Sequence, residues 1–412
     1  MTVFEALQPT AVPALFYLGW LPIYARLPAH RTREFFFVTG LATLALVSGP
    51  LAAGLVLLGA VGGRLGAEWA ARAGRWRWPA FALVLALLHA GFWGAFYLPR
   101  PAIYEQMAPY ARGTVFVLFS GIGLTFFRTA SYLWERIYSN LPKLCWADYL
   151  AFMLFLPQLR HGPVERAHEF APRLAAARST WQRGAVGLGL LRIGLGFATL
   201  VPLGITGFVM DRYKVEFDFF ELLGRPEQLD LGRLLVLMHG PAIALYLVES
   251  SYAAMQLGVS LAYNVVGSEN YNRPYLATNP REVWHRWNMT LSRWLRDYCY
   301  VPLGGRARRV QLHLVLTFVY AGLLHGLRWN CVVWGLYTGI TVAVYVTLRN
   351  ALTRHGPSLG PAGTWLVKGP VGRWIGRLLT FHWFAIGVTI MIDPDYCGVR
   401  VLRRYVALLL GL

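Results

Sequence analysis

The chain has 412 residues, of which 56% are hydrophobic and only 14% are charged. Soluble proteins carry about 25% charged residues, so this composition excludes a water-soluble globule, a disordered chain and a fibrous repeat. Lys and Arg total 39 against 20 Asp and Glu, a net charge of +19. In a soluble domain this would suggest nucleic acid. Here the arginines lie between apolar runs, which indicates contact with a lipid bilayer and no nucleic-acid partner.

Apolar segments recur along the whole chain. A membrane-spanning helix needs about 20 mostly apolar residues, and some of these segments are short or partly polar. They lie at 10–27, 35–62, 79–98, 114–135, 146–158, 185–209, 232–262, 311–326, 329–348, 373–392 and 398–412. We therefore predict an all-α, polytopic transmembrane helical bundle of about 10–11 spans, with re-entrant or interfacial helices besides. No internal repeat divides it, which favours one membrane-embedded domain over 1–412.

Three polar connections are rich in arginine: 64–78, 159–184 and 293–309. By the positive-inside bias, we expect all three on the cytoplasmic side of the membrane. The cysteines are scattered, without CxxC pairs or zinc-ligand spacing, so we expect neither a disulfide framework nor a metal site.

The polar, aromatic segment 264–309 is too long for a simple turn, and long connections of this kind are often functional. As one helix, Trp284–Tyr298 would carry an aromatic face and a polar stripe beside it. The face holds Trp284, Trp287, Leu291, Trp294, Leu295 and Tyr298, and the stripe holds His285, Asn288, Ser292 and Arg296. Arg293 and Asp297 fall on the third side at ion-pair spacing. Periodicity leaves two interpretations open, an interfacial helix on lipid headgroups or a wall that binds substrate.

His325 is an ionisable residue within a long apolar run, LTFVYAGLLHGLRWNCVVWGLY. Such a residue is expensive at membrane depth and is a candidate for function. A neutral imidazole in a dry site can act as a general base. The other interpretation is a structural histidine bound by a neighbouring helix. His239 has nearly the same local context, so apolar surroundings alone do not decide between these interpretations.

Four stretches carry distinctive motifs in a fixed order: GLTFFRTASYLWE at Gly123–Glu135, FLPQLRHGPVER at Phe155–Arg166, NYNRPYLATNPREVWHRWNMTLSRWLRDYCYVPLGG at Asn270–Gly305, and TFVYAGLLHGLRWNCVVWGLYTG at Thr317–Gly339. In this order they resemble segments of the membrane-bound O-acyltransferase (MBOAT) family. The resemblance covers about 120–340, which we take as the MBOAT-like catalytic core. It is greatest to the branch of bacterial alginate O-acetyltransferases and teichoic-acid D-alanyltransferases.

The resemblance implies a bundle that encloses a tunnel, and an acyltransferase active site within it. His325 occupies the position of the family's proposed catalytic histidine, and Asn288 that of its second signature residue. His285, Ser292, Trp287 and Trp294 would bind substrate. The phosphates of an acyl-CoA co-substrate would meet arginines of the same region: Arg293, Arg296, Arg306 and Arg308. No further cofactor is implied.

The implied acceptor is an extracytoplasmic hydroxyl, first of all on a cell-surface polysaccharide. The abundance of Ala, Arg and Gly indicates a GC-rich bacterial genome, so we expect the protein in the inner membrane of a bacterium. A separate extracytoplasmic transferase is an implied partner. Three departures bear on the acceptor and the acyl group. Asn288 stands where the branch usually has histidine, and this asparagine favours a lipid or protein hydroxyl as the acceptor. The segment Glu249–Ala254 (ESSYAA) lacks both aspartates of the corresponding DFSGYSD motif of the branch. Thr338 replaces the histidine of the branch's WGLYHG motif.

Two other classes of protein remain open from the sequence. A transporter or flippase would also have many helices, although repeated halves are typical of transporters and none is visible here. An inactive scaffold is the third class, because the ESSYAA box is altered.

Overall fold

The computed structural model describes residues 16–97, 121–139, 141–159, 162–212, 219–307, 309–355, 369–393 and 398–411. All regular structure in these ranges is helical, and they contain no strand. The predicted all-α fold is thereby confirmed.

Six helices of the described ranges are long and apolar enough to cross a membrane. Their lengths, 23 to 32 residues, exceed the roughly 20 residues that a bilayer core requires. They are Pro50–Arg72, Gly74–Tyr97, Gly184–Thr206, Leu231–Ala262, Trp329–Ala351 and Pro370–Ile392. The chain is therefore an integral membrane protein. The other predicted segments form shorter helices or extend outside the described residues, so six spans stand against the ten to eleven expected.

The α-helices within the described residues are numbered in chain order. They are α1 (Leu21–Arg26), α2 (Thr32–Ser48), α3 (Pro50–Arg72), α4 (Arg77–Gly94), α5 (Ile122–Tyr138), α6 (Trp146–Met153), α7 (Ala167–Ala176), α8 (Gly184–Arg212), α9 (Phe219–Gly224), α10 (Leu231–Ala262), α11 (Pro280–Trp284), α12 (Met289–Leu295), α13 (Val310–Leu323), α14 (Trp329–His355), α15 (Pro370–Ile392) and α16 (Val399–Leu409). A π-helix, Arg296–Tyr300, follows α12 directly.

Contacts group the chain into two compact units. Unit 1 comprises 1–204 and 248–269, and unit 2 comprises 205–247 and 270–412. Helices α8 and α10 each contribute to both. The single domain expected over 1–412 stays a prediction.

In unit 1, the apolar segment predicted at 35–62 is two helices rather than one. Helix α2 ends at Ser48 and α3 begins at Pro50. Gly49 between them has φ 88° and ψ 158°, a conformation open to glycine but not to other residues. Proline is favourable at the first position of a helix, where its missing N–H is not needed. A Gly-Pro pair inside an apolar run therefore divides it.

The same helix corrects the arginine-rich connection predicted at 64–78, because α3 continues to Arg72. Arg64 is only 1% exposed, donates from Nη1 to the carbonyl oxygen of Cys145 at 3.1 Å, and lies 4.1 Å from the centre of the Trp146 ring. One turn later, Glu68 pairs with Arg136 at 2.9 Å. Arg64 thus anchors the start of α6 rather than lying on lipid headgroups.

In unit 2, the C-terminal apolar segment predicted at 398–412 forms the 11-residue helix α16. Val401 of α16 packs with Leu234 and Met238 of α10 in a buried cluster. Arg400 Nη2 binds Glu227 Oε1 at 2.6 Å. These contacts fix α16 to the start of α10, and α16 is too short to cross a membrane by itself.

Helices α13 and α14 form a closely packed hairpin in unit 2. A Cβ atom on Gly335 would lie 2.6 Å from the carbonyl oxygen of Phe318 and from the Cα atom of Val319. A Cβ atom on Gly339 would lie 2.8 Å from the Cα atom of Val315. Glycine at these positions lets the two backbones touch, and the turn between the helices carries His325.

Candidate active site

The segment that precedes Asn288 is fixed by helix-capping residues. The Asn279 side chain accepts from the N–H of Glu282 at 3.0 Å, and Pro280 occupies the first position of α11. The Glu282 carboxylate in turn accepts from the N–H and the hydroxyl of Thr278, both at 2.9 Å. This reciprocal cap satisfies donors that a helix start otherwise leaves open. It gives the one-turn helix α11 a defined direction.

The continuous helix predicted over Trp284–Tyr298 is wrong. Helix α11 ends at Trp284, and α12 begins at Met289 after a turn. Asn288 in that turn has φ 40° and ψ 56°, the left-handed conformation, which interrupts a right-handed helix. Asn is one of the few residues that adopts this conformation readily. After α12 the backbone changes again, to the π-helix Arg296–Tyr300.

Two asparagines that the sequence analysis did not single out hold this turn. The carbonyl oxygen of Asn270 accepts from the N–H of Met289 at 2.9 Å, and Asn270 Oδ1 accepts from the N–H of Thr290 at 3.3 Å. On the other side, the N–H of Asn272 donates to the carbonyl oxygen of Arg286 at 2.8 Å. Asn270 is 4% exposed. Hydrogen bonds therefore clamp the chain before and after Asn288, and those with Asn270 are buried.

His325 lies in the turn between α13 and α14. The backbone N–H of His325 donates to the carbonyl oxygen of Gly322 at 2.9 Å. Gly326, the next residue, has φ 147°, which only glycine adopts without strain. The His325 side chain is partly buried, and its ring lies edge-to-face on Trp334 of α14, 5.9 Å between centres at 72°. The hairpin and its glycines therefore set the position of the imidazole.

Trp334 brings the two motifs together. The Trp284 ring packs on Trp334 at 5.8 Å and 86°, and on Phe318 of α13 at 5.2 Å. A single indole thus contacts both the end of α11 and the His325 imidazole. Trp284 and His325 belong to separate sequence motifs, and in the structure both pack on the Trp334 side chain. Trp334 lies within the family-like stretch Thr317–Gly339, but the resemblance assigned it no role.

The predicted substrate-binding residues lie in different environments. Trp287 packs against Tyr271 at 5.3 Å and Phe384 at 4.9 Å. Trp294 is 3% exposed, and its ring lies 5.3 Å from Tyr298. The Ser292 hydroxyl donates to the carbonyl oxygen of Trp287 at 3.3 Å. Their roles toward a substrate stay predictions.

Three arginines of this segment are exposed, and they are together called the electropositive face: Arg293, Arg296 and Arg306. Asp297 pairs with Arg296 through contacts of 2.6 and 3.0 Å rather than with Arg293 as the spacing suggested, and within the described residues Arg293 has no ion pair. His285 is exposed. Desolvation by nearby protein, and then the charges of Arg281 and Arg296, lower the pKa of His285 below its ordinary value. The ring is therefore neutral at pH 7.

Arg306 is exposed as well, whereas Arg308 lies outside the described residues. Arginine N–H groups on an exposed surface suit phosphate oxygens, which they bind with two parallel hydrogen bonds. The arrangement can therefore bind an anion beside the turn that holds Asn288.

Comparison with known proteins gives consistent matches. A model of the membrane-bound O-acyltransferase family matches residues 139–392, which include Asn288 and His325. The chain is 30% identical to the peptidoglycan O-acetyltransferase of Helicobacter pylori over 250 residues, 57% of this chain and 46% of that protein. It is 32% identical to the probable alginate O-acetylase AlgI of Azotobacter vinelandii over 235 residues, 56% of this chain and 44% of that protein.

A longer alignment joins the chain to the teichoic acid D-alanyltransferase of Bacillus subtilis. The identity is 24% over 332 residues, 76% of this chain and 77% of that protein. The alignments with the first two relatives cover only 46% and 44% of their length. The chain therefore spans about half the length of these curated relatives.

Proposed function

The chain belongs to the membrane-bound O-acyltransferase family, and we propose that it moves an acyl group from an acyl thioester to a hydroxyl of an extracytoplasmic acceptor. The group is acetyl or another short chain, and the acceptor is a cell-surface polysaccharide. The names of the relatives support a short acyl group, because they specify acetyl or D-alanyl. They also support a cell-surface polymer as the acceptor, because they specify peptidoglycan, alginate or teichoic acid.

One observation carries this proposal: the partly buried imidazole of His325 packs on Trp334, and so does Trp284, which lies four residues before Asn288. An ionisable residue among apolar helices is costly and needs a purpose. The backbone N–H groups of His325 and Gly326 donate to the carbonyl oxygens of Gly322 and Leu323, which holds the turn in place. A general base has to be held within reach of the proton that it accepts.

In the proposed reaction, His325 accepts the proton of the acceptor hydroxyl as its oxygen bonds to the thioester carbonyl carbon. The carbon–sulfur bond then breaks, and the leaving thiolate takes the proton from the imidazole. Because a thioester brings its own leaving group, this route uses no resident cofactor and no metal.

Asn288 is proposed to orient a substrate or to donate a hydrogen bond to the oxygen that becomes negative. Such a contact is worth about 2.7–4 kcal/mol at the barrier. The clamp by Asn270 and Asn272 supports this role, because a catalytic donor must be held before the reaction begins.

Acyl-CoA is proposed as the donor, with its phosphates on the electropositive face. Arg293 is the strongest candidate contact, because its guanidinium is exposed and is not engaged in an ion pair with Asp297. Arg296 and Arg306 would contribute from the same segment.

The remaining proposals concern the cell. We place the protein in the inner membrane of a bacterium, where a thioester from one side and an acceptor from the other can both reach it. A separate extracytoplasmic transferase is the proposed partner. Acylation of a lipid or protein hydroxyl is the alternative, which the asparagine at position 288 favours.

One experiment tests which acyl group is transferred and which class of acceptor receives it. Membranes that contain the protein are incubated with acetyl-CoA or with longer acyl-CoAs, each labelled in its acyl group. We expect label from acetyl-CoA in the polysaccharide fraction. Label in lipid or protein would support the alternative acceptor, and accumulation of unmodified substrate in vesicles would support a transporter.

The base assignment is tested with His325→Ala in the purified, folded protein, which we expect to lose transfer. His89→Ala is the matched control, because His89 is also a partly buried histidine in an apolar helix but its Nδ1 contacts the carbonyl oxygen of Leu85 in unit 1. Full transfer by His325→Ala would overturn the proposed mechanism.

A further inference from the structure

The indole N–H of Trp284 is a buried donor that the fold leaves unused. Its Nε1 atom has no hydrogen-bond acceptor among the described residues. An indole N–H can only donate, and buried polar groups in folded proteins nearly always have a partner. An unpaired buried donor therefore calls for an explanation, and one explanation is an acceptor brought by a ligand.

The position of Trp284 indicates which ligand. Trp284 is the last residue of α11, and its ring lies edge-to-face on Trp334. Trp334 in turn contacts the His325 imidazole. Trp284 and the proposed base therefore contact the same indole ring, so the ligand we assign to the unused donor is the acyl thioester that reacts at His325.

We propose that Trp284 is a catalytic residue whose Nε1–H donates a hydrogen bond to the carbonyl oxygen of the acyl thioester. The bond strengthens as that oxygen becomes negative during attack by the acceptor hydroxyl. This assignment rests on the proposed function. The proton still moves from the hydroxyl to His325 and then to the leaving thiolate, so Trp284 neither gains nor loses a proton.

The surroundings of Trp284 suit a fixed donor. Its ring is held by Phe318 and Trp334, both on the α13–α14 hairpin. Donors that are already in place when charge develops stabilise a transition state most effectively, because the protein does not have to reorganise. Removing one such donor lowers kcat by about 10²–10³-fold.

A second indole of unit 2 provides the comparison. Trp383 Nε1 is likewise buried without an acceptor among the described residues, but its ring stacks on Tyr337 at 6.0 Å and 20°. Trp383→Phe therefore removes the same kind of group without removing the Trp284 donor, and we expect it to keep kcat.

The experiment measures kcat and KM for acetyl-CoA with the full-length protein in lipid discs, using transfer of labelled acetyl to an envelope polysaccharide fraction. Trp284→Phe keeps an aromatic ring and removes the N–H. Replacement of Trp284 by 3-benzothienylalanine keeps the bicyclic ring with sulfur in place of the N–H, and this second variant decides the matter if Trp284→Phe does not fold.

We expect both replacements to lower kcat by about 10²–10³-fold and to leave the KM for acetyl-CoA nearly unchanged, since the hydrogen bond acts mainly in the transition state. A benzothienyl variant with wild-type kcat would overturn the assignment of Trp284 alone. An equal loss in Trp383→Phe would do the same, because the effect would not be specific to the donor beside His325.

Failure of the proposed function has a different signature in the same assay. A wild-type protein that transfers no label, or a His325→Ala variant with full transfer, would overturn the proposed reaction itself. Loss of transfer in His325→Ala with full transfer in the Trp284 variants would leave the reaction intact and remove only Trp284 from it.

Discussion

Asn288 combines a backbone requirement with a side-chain role. Its left-handed conformation ends one helical turn and lets α12 start in a new direction. For most L-residues this conformation costs about 1–2 kcal/mol, whereas glycine adopts it freely and asparagine tolerates it. Substitution can therefore separate the conformation of the turn from the chemistry of the amide.

We predict that Asn288→Gly unfolds at nearly the wild-type temperature, whereas Asn288→Ala loses about 1 kcal/mol of stability. Both should lose acyl transfer, because both lack the amide. Thermal unfolding and transfer of labelled acetyl, measured on the same preparations, check the two parts. Full activity in Asn288→Gly would show that position 288 serves only the turn.

His285 makes the electropositive face sensitive to pH. Its pKa lies below the ordinary value of about 6.5 because of desolvation and the charges of Arg281 and Arg296. Protonation in the folded protein therefore occurs only below about pH 6.5. The unfolded chain binds this proton more readily than the folded protein does. The contribution of His285 to the free energy of unfolding is therefore fully present above that pH and decreases as the pH falls.

Phosphates of a donor would favour the protonated ring, since they add negative charge nearby. We predict that the KM for acetyl-CoA decreases between about pH 7.5 and about pH 5.5 in the wild type. His285→Gln should show a weaker decrease. Comparing KM rather than kcat keeps this effect apart from protonation of His325. An identical pH profile in the variant would contradict a role for His285 in donor binding.

The sequence identified some of the site residues but not those that complete the site. His325 could be predicted because an ionisable residue in an apolar run is conspicuous, and Asn288 came from the family resemblance. Asn270 and Trp284 could not be assigned their contacts in advance. Asn270 acts through hydrogen bonds to residues 19 and 20 positions further along the chain. Trp284 is distinguished only by an indole N–H that has no acceptor among the described residues of the folded protein.

At the level of elements, the apolar pattern located helices well but missed their interruptions. Hydropathy is nearly the same on both sides of Gly49–Pro50, so composition could not reveal the break there. The break at Asn288 was missed for a related reason. Assigning the residues of Trp284–Tyr298 to the faces of a helix assumes that the helix is continuous. Arg64 shows the converse case, a charge that signalled a loop yet lies inside a helix with backbone carbonyls as partners.

The α13–α14 hairpin yields a prediction for Gly335. An Ala at this position would place Cβ 2.6 Å from backbone atoms of α13, which cannot move aside as a side-chain tip could. We expect Gly335→Ala to lose about 1–3 kcal/mol of stability and to displace the turn that carries His325, so that acyl transfer falls as well. Thermal unfolding and the transfer assay measure these effects.

Gly240 is the matched control for this substitution. It lies in α10 within unit 2, and a Cβ there would meet no atom within 4 Å. Gly240→Ala should keep or raise stability, because alanine is the better helix former. Equal stability of both variants would mean that the backbones of α13 and α14 do not touch at Gly335.

For the whole molecule, composition alone was sufficient to predict a helical membrane protein. A bilayer forces backbone groups to pair within a segment, so long apolar runs become helices whatever the details of packing. The number of spans was not equally predictable, since it depends on breaks of one or two residues and on helices such as α16 that remain short. Charge carries a further signal at this scale, namely orientation.

The positive-inside bias predicts that the arginine-rich stretches reach the cytoplasm, and exposed members of each allow a test. In a protein whose native cysteines are replaced by serine, Arg75→Cys, Arg183→Cys and Arg306→Cys should each react with a membrane-impermeant maleimide applied from the cytoplasmic side and not from the outside. Leu58→Cys is the control, because Leu58 is 68% exposed on the surface of the spanning helix α3 and should face lipid, where the reagent does not enter. Labelling of any of the three arginine positions from the outside would contradict the predicted orientation. For Arg306, it would also remove the electropositive face from the compartment that holds acyl-CoA.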